Sequence, residues 1–329
     1  MSAGRRSRTA LSVATICLAV TACDSEATPA SPPPTAPTPR QTGGECSEFT
    51  IAYDASNGYE ASAFIVGRLA ETELGCDVEY LRTTSHDAWR QVATGAADVY
   101  LDAYGTTDLK QQLSGPGGPV TVVGPNGVRG GVDLVAPYFM GEAGLDSFRD
   151  LPDVRRIGWG QATPAITTVP ELLPLARAFV EFQELDDYAV RDYRDVGFGE
   201  GVADLLQQAR ADDEQGTPNL YLVEAPRRFI GDGAGRQLIA IPESTAEGCV
   251  PNAVSTLCSL ANFDYLKIAN SEFATSGSPA YNLVYNYRLS ESESDNVLEI
   301  VELSGYDVRA ADVASWINTH EDVWRRWLT

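Results

Sequence analysis

Residues 48–104, EFTIAYDASNGYEASAFIVGRLAETELGCDVEYLRTTSHDAWRQVATGAADVYLDAY, decide the fold. EFTIAYD (48–54) alternates apolar and polar side chains and predicts a strand. GYEASAFIVGRLAETELG (58–75) sets Ala61, Phe64, Ile65, Leu69 and Leu74 at helical spacing, and Gly75 ends the helix. CDVEYLRT (76–83) is a second strand. SHDAWRQVATGA (85–96) is a short helix with Ser85 as its N-cap and Asp87 and Ala88 in the first turn. ADVYLDAY (97–104) is a third strand. Strand, helix, strand, helix, strand implies a parallel sheet with helices on its faces: an α/β protein.

The pattern resumes downstream. VDLVAPYF, VRRIGWG, PELLPLARAFVEFQEL, YAVRDYR, GVADLLQQARADD, NLYLVEAP and QLIAIPE, between residues 132 and 243, form a second α/β unit, with VRRIGWG strand-like up to Trp159. PAYNLVYNYR (279–288) reads as a strand leading to helices near DNVLEIVEL and VRAADVASWINTHEDVWRRWL. Two such units make a bilobed protein, and ligands of open α/β sheets sit off the carboxyl ends of the strands.

The N-terminus sets the compartment. Arg5, Arg6 and Arg8 precede the short apolar run TALSVATICLAV, and small residues follow, the layout of a secretory signal. Val-Thr-Ala-Cys, ending at Cys23, resembles the bacterial lipobox, in which the cysteine is lipidated and becomes the mature N-terminus. An ordinary signal with a chance cysteine is the alternative. The stretch after Cys23, rich in Pro, Thr, Ser and Ala, cannot bury enough surface to fold and reads as an extended tether. The expected division is 1–22 signal peptide and 23–45 lipidated cysteine and linker, with about 285 residues following, enough for two lobes with a sizeable core.

With Cys17 in the signal and Cys23 lipidated, Cys46, Cys76, Cys249 and Cys258 remain, and three pairings are open. The short spacing of Cys249 and Cys258 favours a local clip, which leaves Cys46 with Cys76; four free thiols would not suit an exported chain. The net charge of −22 makes nucleic acid a poor partner and suits a cationic or zwitterionic one. There is no Cys-x-x-Cys, and His86 and His320 are the two histidines, so no metal site is expected.

Catalytic signatures are missing as well: no G-x-S-x-G elbow, P-loop, H-E-x-x-H or dinucleotide fingerprint, hence no cofactor and no catalytic residues. GPGGPV and GPNGVRGG read as surface turns. Trp316, Trp324 and Trp327 fall on one helical stripe and read as packing, and Trp89 as half-buried. Trp159 and Tyr104 each end a strand-like run before a glycine, which are cleft positions in this fold.

ASAFIVGRLAETELGCDVEY, ATGAADVYLDAYGTTD and VASWINTHEDVWRRWL, in that order behind the lipobox, resemble the substrate-binding proteins of glycine betaine/choline/proline-betaine ABC importers. The resemblance runs over about residues 48–329. It implies a type II periplasmic-binding fold: two α/β lobes, 46–125 with 282–329 and 126–281, joined by two crossovers, hinged near 123–132 and 276–284, with the ligand in the cleft. It implies a lipid-anchored extracytoplasmic receptor that hands a quaternary ammonium to a membrane permease, and no enzyme. The family cages the ammonium in aromatic rings through cation–π attraction. Matched by position, Tyr104 and Trp159 are cage rings, and Gly160, Gln161 and Ala162 offer amides to the ligand's carboxylate. Tyr59 begins the first helix near another family aromatic, with Asn57 an equal match. Glu224, in LYLVEAPRR, stands where the family carries tryptophan. It either meets a cationic or amine head group directly or is a strand-end residue paired with Arg227 or Arg228. The alternatives are therefore a receptor for another amine or amino-acid-like ligand that uses Glu224, or an exported lipoprotein or enzyme outside transport.

Overall fold

The computed structural model describes residues 36, 38, 46, 48–55, 60–103, 107–160, 162–197, 201–230, 236–239, 263–305 and 307–329. β1 (Glu48–Tyr53), α1 (Ala61–Leu74), β2 (Asp77–Arg82), α2 (Ser85–Thr94) and β3 (Val99–Ala103) follow the expected order. β1 lies between β2 and β3 and runs parallel to both. α1 stops at Gly75, whose φ of 70° turns its amide back to the Ala70 carbonyl, a conformation open to a residue without Cβ. In α2 the N-cap is Thr84 rather than Ser85: the Thr84 hydroxyl accepts from the Asp87 amide at 3.2 Å. Ser85 is diverted because its hydroxyl donates to Asp54.

α3 (Thr107–Leu113) leads into β4 (Val120–Pro137), a strand of 18 residues. The second unit then builds α4 (Tyr138–Glu142), β5 (Ala165–Thr168), α5 (Leu173–Phe182), β6 (Ala189–Asp192), α6 (Val202–Gln215), β7 (Leu220–Pro226), α7 (Arg227–Ile230) and β8 (Arg236–Ile239). The chain re-enters at β9 (Phe263–Asn270) and closes with α8 (Ser271–Thr275), α9 (Pro279–Asn286), α10 (Glu291–Leu303), α11 (Ala310–Thr319) and α12 (Glu321–Trp324).

The sheet order β2-β1-β3-β9-β4-β7-β5-β6, with β8 on β4, contains one pattern twice. Three parallel strands, β2-β1-β3, are followed by antiparallel β9 and then β4; β6-β5-β7 are followed by antiparallel β4 and then β8. β4 thus serves both units. Its start pairs with β9, its end pairs with β7 and β8, and its register breaks between Pro125 and Arg129. GPNGVRGG, read from sequence as a surface turn, lies inside this strand with Asn126, Val128 and Gly130 buried. Asn126 donates to the Leu101 carbonyl and to Asp102, and Val128 enters the core of the first unit, contacts the sequence does not display.

Two other expectations give way. Residues 264–281 pack with the first unit, and Phe263 touches the cores of both: β9 pairs with β3, and Phe273 of α8 stacks on Phe49 of β1 at 5.5 Å. The boundary of the first unit therefore falls before Phe263 rather than at 282, and 276–284 is no hinge. PAYNLVYNYR forms α9, not a strand. Ser278 caps it, Pro279 occupies its first position, and Ala280, Leu283, Val284 and Tyr287 share a buried face. Lys267 of β9 donates to the Val284, Tyr285 and Tyr287 carbonyls at its end.

Cys46 and Cys76 form a disulfide that ties the entry of β1 to the end of α1; Cys249, Cys258 and Cys23 lie outside the described residues. Trp316, Trp324 and Trp327 are buried in the core beside α1 and α9, with Trp327 edge-on to Tyr287 at 4.8 Å. Trp89, expected half-buried, is 1 % exposed under α2. Among the described residues no helix is long and apolar enough to cross a membrane.

Candidate functional site

A cavity of about 480 Å³ opens between the two units. Its walls are the residues that follow four strand ends: Asp54 after β1, Thr83 after β2, Val169 after β5 and Tyr193 after β6. The first wall also carries Arg82 and the start of α2 with His86 and Asp87; the second carries Glu171, Arg194 and the start of α6. Parallel strands in both units point their carboxyl ends at the same space, so side chains just beyond those ends converge there. Thr84 and Ser85 place the start of α2 on the wall, with the Ser85 amide given to Asp54 and the Asp87 amide to the Thr84 hydroxyl.

The charges on these walls are mostly spoken for. Asp54, 4 % exposed, accepts from the Ser85 amide and hydroxyl, each at 2.6 Å, and the Ser85 hydroxyl also meets the Tyr100 hydroxyl at 2.9 Å. Arg194 grips Asp192 through Nε and Nη2 and holds that carboxyl below the usual carboxylate range. Behind Asp54 lie two more buried carboxyls. Glu60 is pushed up to about 7, chiefly by burial, and Asp102 well above its ordinary value for the same reason. Asp102 accepts from Asn126, whose carbonyl side receives the Val128 amide within the β4 crossover. The cleft floor is thereby linked to the strand that joins the units.

The sequence-derived site residues fare unequally. Tyr59, Tyr104 and Gln161 lie outside the described residues. Trp159 ends a wide helical turn, Arg155–Trp159, and not a strand. Its ring is 6 % exposed, packs in the core of the second unit, and satisfies its Nε1–H on the Thr163 carbonyl at 3.2 Å. It is not on the cavity wall. The Gly160 amide closes the same turn onto the Arg155 carbonyl at 3.1 Å, so it is spent and not offered to an anion. Ala162 is exposed and likewise off the cavity wall.

Glu224 is half-buried at the end of β7, and burial, with the Glu171 carboxylate, pushes it up to about 8. Arg228 pairs with Glu302 at 3.1 Å instead of with Glu224. Sequence reasoning missed Arg82, Glu171, Tyr193 and Arg194. Their signal was position, since each ends or directly follows a predicted strand or opens the next helix. Among the described residues no group of His, Cys, Asp and Glu could hold a metal ion.

Residues 47–317 match the family described as the substrate binding domain of ABC-type glycine betaine transport systems. The chain belongs to this family. Its fold is that of solved members. Lactococcal OpuAC, in a closed form complexed with glycine betaine, superposes with a TM-score of 0.61 at 17% identity, over 86% of this chain and 100% of that one. The glycine betaine/L-proline-binding protein ProX of Borrelia burgdorferi gives 0.63 at 11% identity, over 86% and 97%. A choline-binding protein in complex with choline gives 0.60 at 14%, over 85% and 91%. No curated protein matches by sequence. The type II binding-protein fold follows, and so does the role of a substrate-binding component of an ABC importer, a class that works outside the cytoplasm.

Proposed function

We propose that this protein captures a small cationic or zwitterionic osmolyte, of the quaternary ammonium kind or a close relative, in the cavity between its two units and presents it to a membrane permease. The observation that carries the reading is the cavity itself: strand ends of both units converge on one space whose walls carry both signs of charge. A zwitterion meets both kinds of partner there. A ligand touching both walls binds the closed arrangement better than the open one and so shifts the population toward closure. The β4 crossover at 125–129 is the natural flexing point, because its pairing register breaks there.

Lipidation of Cys23 would hold the folded domain near the membrane on its Pro-rich tether, where a permease can be reached. No covalent chemistry is asked of the site, so the ligand should be recovered unchanged. The test is calorimetric titration of the full chain with glycine betaine, choline, proline betaine and carnitine. Saturable binding of at least one, returned intact by mass spectrometry, is expected. Heats from none of them, or conversion of one, would overturn the reading. Intact-mass analysis of the membrane-extracted protein is expected to show an acylated N-terminal Cys23.

A further inference from the structure

The first unit grips both crossing strands before they reach the second. On β9, Lys267 holds the Val284, Tyr285 and Tyr287 carbonyls. On β4 the grip is Asn126, a fully buried side chain at the point where pairing fails. β9 loses register with β3 between Tyr100 and Ala103, and with β4 between Pro125 and Arg129. Backbone groups released from a ladder in a buried bulge must find other partners. Asn126 supplies them. Its Nδ2 donates to the Leu101 carbonyl and to Asp102 Oδ1, each at 2.9 Å, and its Oδ1 accepts from the Val128 amide at 2.8 Å. The Asn126 carbonyl accepts from the Leu289 amide at 2.8 Å. Asp102, itself 2 % exposed, also bonds Ser62 of α1, whose hydroxyl receives the Tyr287 hydroxyl at 2.9 Å. One residue thus fastens the near end of the crossover to β3, to α1 and to the segment ahead of α10.

Beyond Val128 this grip ends. Arg129 and Gly130 lie beside Asp264 and Phe263 of β9, and from Gly130 on β4 pairs with β7 of the second unit. The two crossing strands touch closely there: a Cβ on Gly130 would run into the Phe263 and Tyr265 rings.

We propose that Asn126 is a positioning residue for ligand capture. It locks the near end of the crossover to the first unit, so that the second unit swings about the short two-stranded stretch of 129–130 and 263–264. This rests on the receptor reading above and narrows its flexing point to the far end. A locked pivot restricts the empty protein to arrangements from which the two cleft walls can close on a ligand. With the near end released, the second unit would also sample orientations that bind nothing. The apparent dissociation constant then rises in inverse proportion to the competent fraction. Neither Asn126 nor Asp102 is on the cavity wall, so the loss falls equally on every ligand.

The experiment compares the full chain with Asn126→Ser, Asp102→Ala and the double variant. Asn126→Ser keeps an oxygen for the Val128 amide but cannot span Leu101 and Asp102 together, so it is the milder lesion. Calorimetry with glycine betaine, choline, proline betaine and carnitine is paired with small-angle scattering, with hydrogen exchange read by mass spectrometry, and with urea unfolding to fix the folded fraction. Each single variant should raise the dissociation constant about threefold or more, by the same factor for every ligand that wild type binds. The ligand-free radius of gyration should increase while the ligand-saturated value matches wild type, and peptides carrying the Val128 and Leu289 amides should exchange faster. The double variant should bind no more weakly than the worse single one, since both break the same clasp. Unchanged affinity and unchanged ligand-free scattering in the folded fraction, with unfolding free energy lowered, would reduce Asn126 to a packing role and overturn the inference. So would a loss confined to one ligand, which marks a contact. Binding of none of the four by wild type overturns the receptor reading and this inference with it.

Discussion

Replacing Glu60 with glutamine should stabilise the protein at alkaline pH and do little in acid. Glu60 opens α1 and is 1 % exposed. Its Oε1 accepts from the Val308 amide at 2.9 Å, while Oε2 has no hydrogen-bond partner. Burial raises its pKa from 4.5 to about 7, the Val308 amide pulls against that, and Asp307 and Asp54 add smaller upward pushes. A folded-state pKa above the unfolded one means that the folded chain holds the proton more tightly. The associated stability is full below about pH 4.5 and is lost as pH rises to about 7. The difference is worth about 3 kcal/mol, as an upper figure, at 1.36 kcal/mol per unit. In Glu60→Gln the side-chain amide would keep a carbonyl facing Val308 and carry no charge. The variant should therefore match wild type within about 1 kcal/mol near pH 5 and exceed it by about 2–3 kcal/mol near pH 8. Urea unfolding followed by circular dichroism at intervals between these values reads the difference directly. Because Glu60 and Asp54 both act on Asp102, the observed midpoint belongs to the cluster rather than to one carboxyl. A variant that is less stable by the same amount at every pH would refute the reasoning, since the charge would then have carried no cost.

Trp159→Ala should cost about 3–5 kcal/mol of stability by opening a void in the core of the second unit, while ligand affinity in the folded fraction changes less than twofold. A large affinity loss with little change in unfolding free energy would return the ring to the cleft. Cys76→Ser removes the bridge to Cys46, which closes a loop with a sequence separation of 30, and should lower unfolding free energy by about 3–4 kcal/mol in urea titrations; no change would mean that the bridge does not form. Gly127→Ala puts a Cβ where φ is +99° and against the Leu289 carbonyl oxygen. A loss of about 2 kcal/mol or more is expected, along with weaker coupling between ligand binding and closure measured by small-angle scattering. Unaltered stability would show that the crossover is not held against residue 289.

What the sequence determined by itself was local and periodic. Alternation at 48–54 and helical spacing at 61–74 fix β1 and α1, because each element must bury one face and the residues on that face recur at the element's own period. The spacing of the cysteines pointed to the bridge that the structure contains, whereas the strand expected at 279–288 is the helix α9. Ala280, Leu283, Val284 and Tyr287 recur at three and four, behind a Ser-Pro start, though read as a strand they mislead.

Only the tertiary structure decided the rest. GPNGVRGG carries every mark of a turn, yet it runs inside β4, pairing with β9 at 124–125 and 129–130 and with β7 from Gly130 on, where the strand passes from one unit to the other. GWGQATP does place Trp159 on a turn, but whether a ring on a turn faces a cleft or a core depends on what stands on either side of it. Here the packed side chains of β5 and α5 enclose it, and its N–H finds Thr163. The cavity wall has no motif of its own. Arg82, Glu171 and Arg194 are far apart in the chain and meet because two sets of parallel strands in one mixed sheet aim their ends at one space, a convergence that no local pattern encodes.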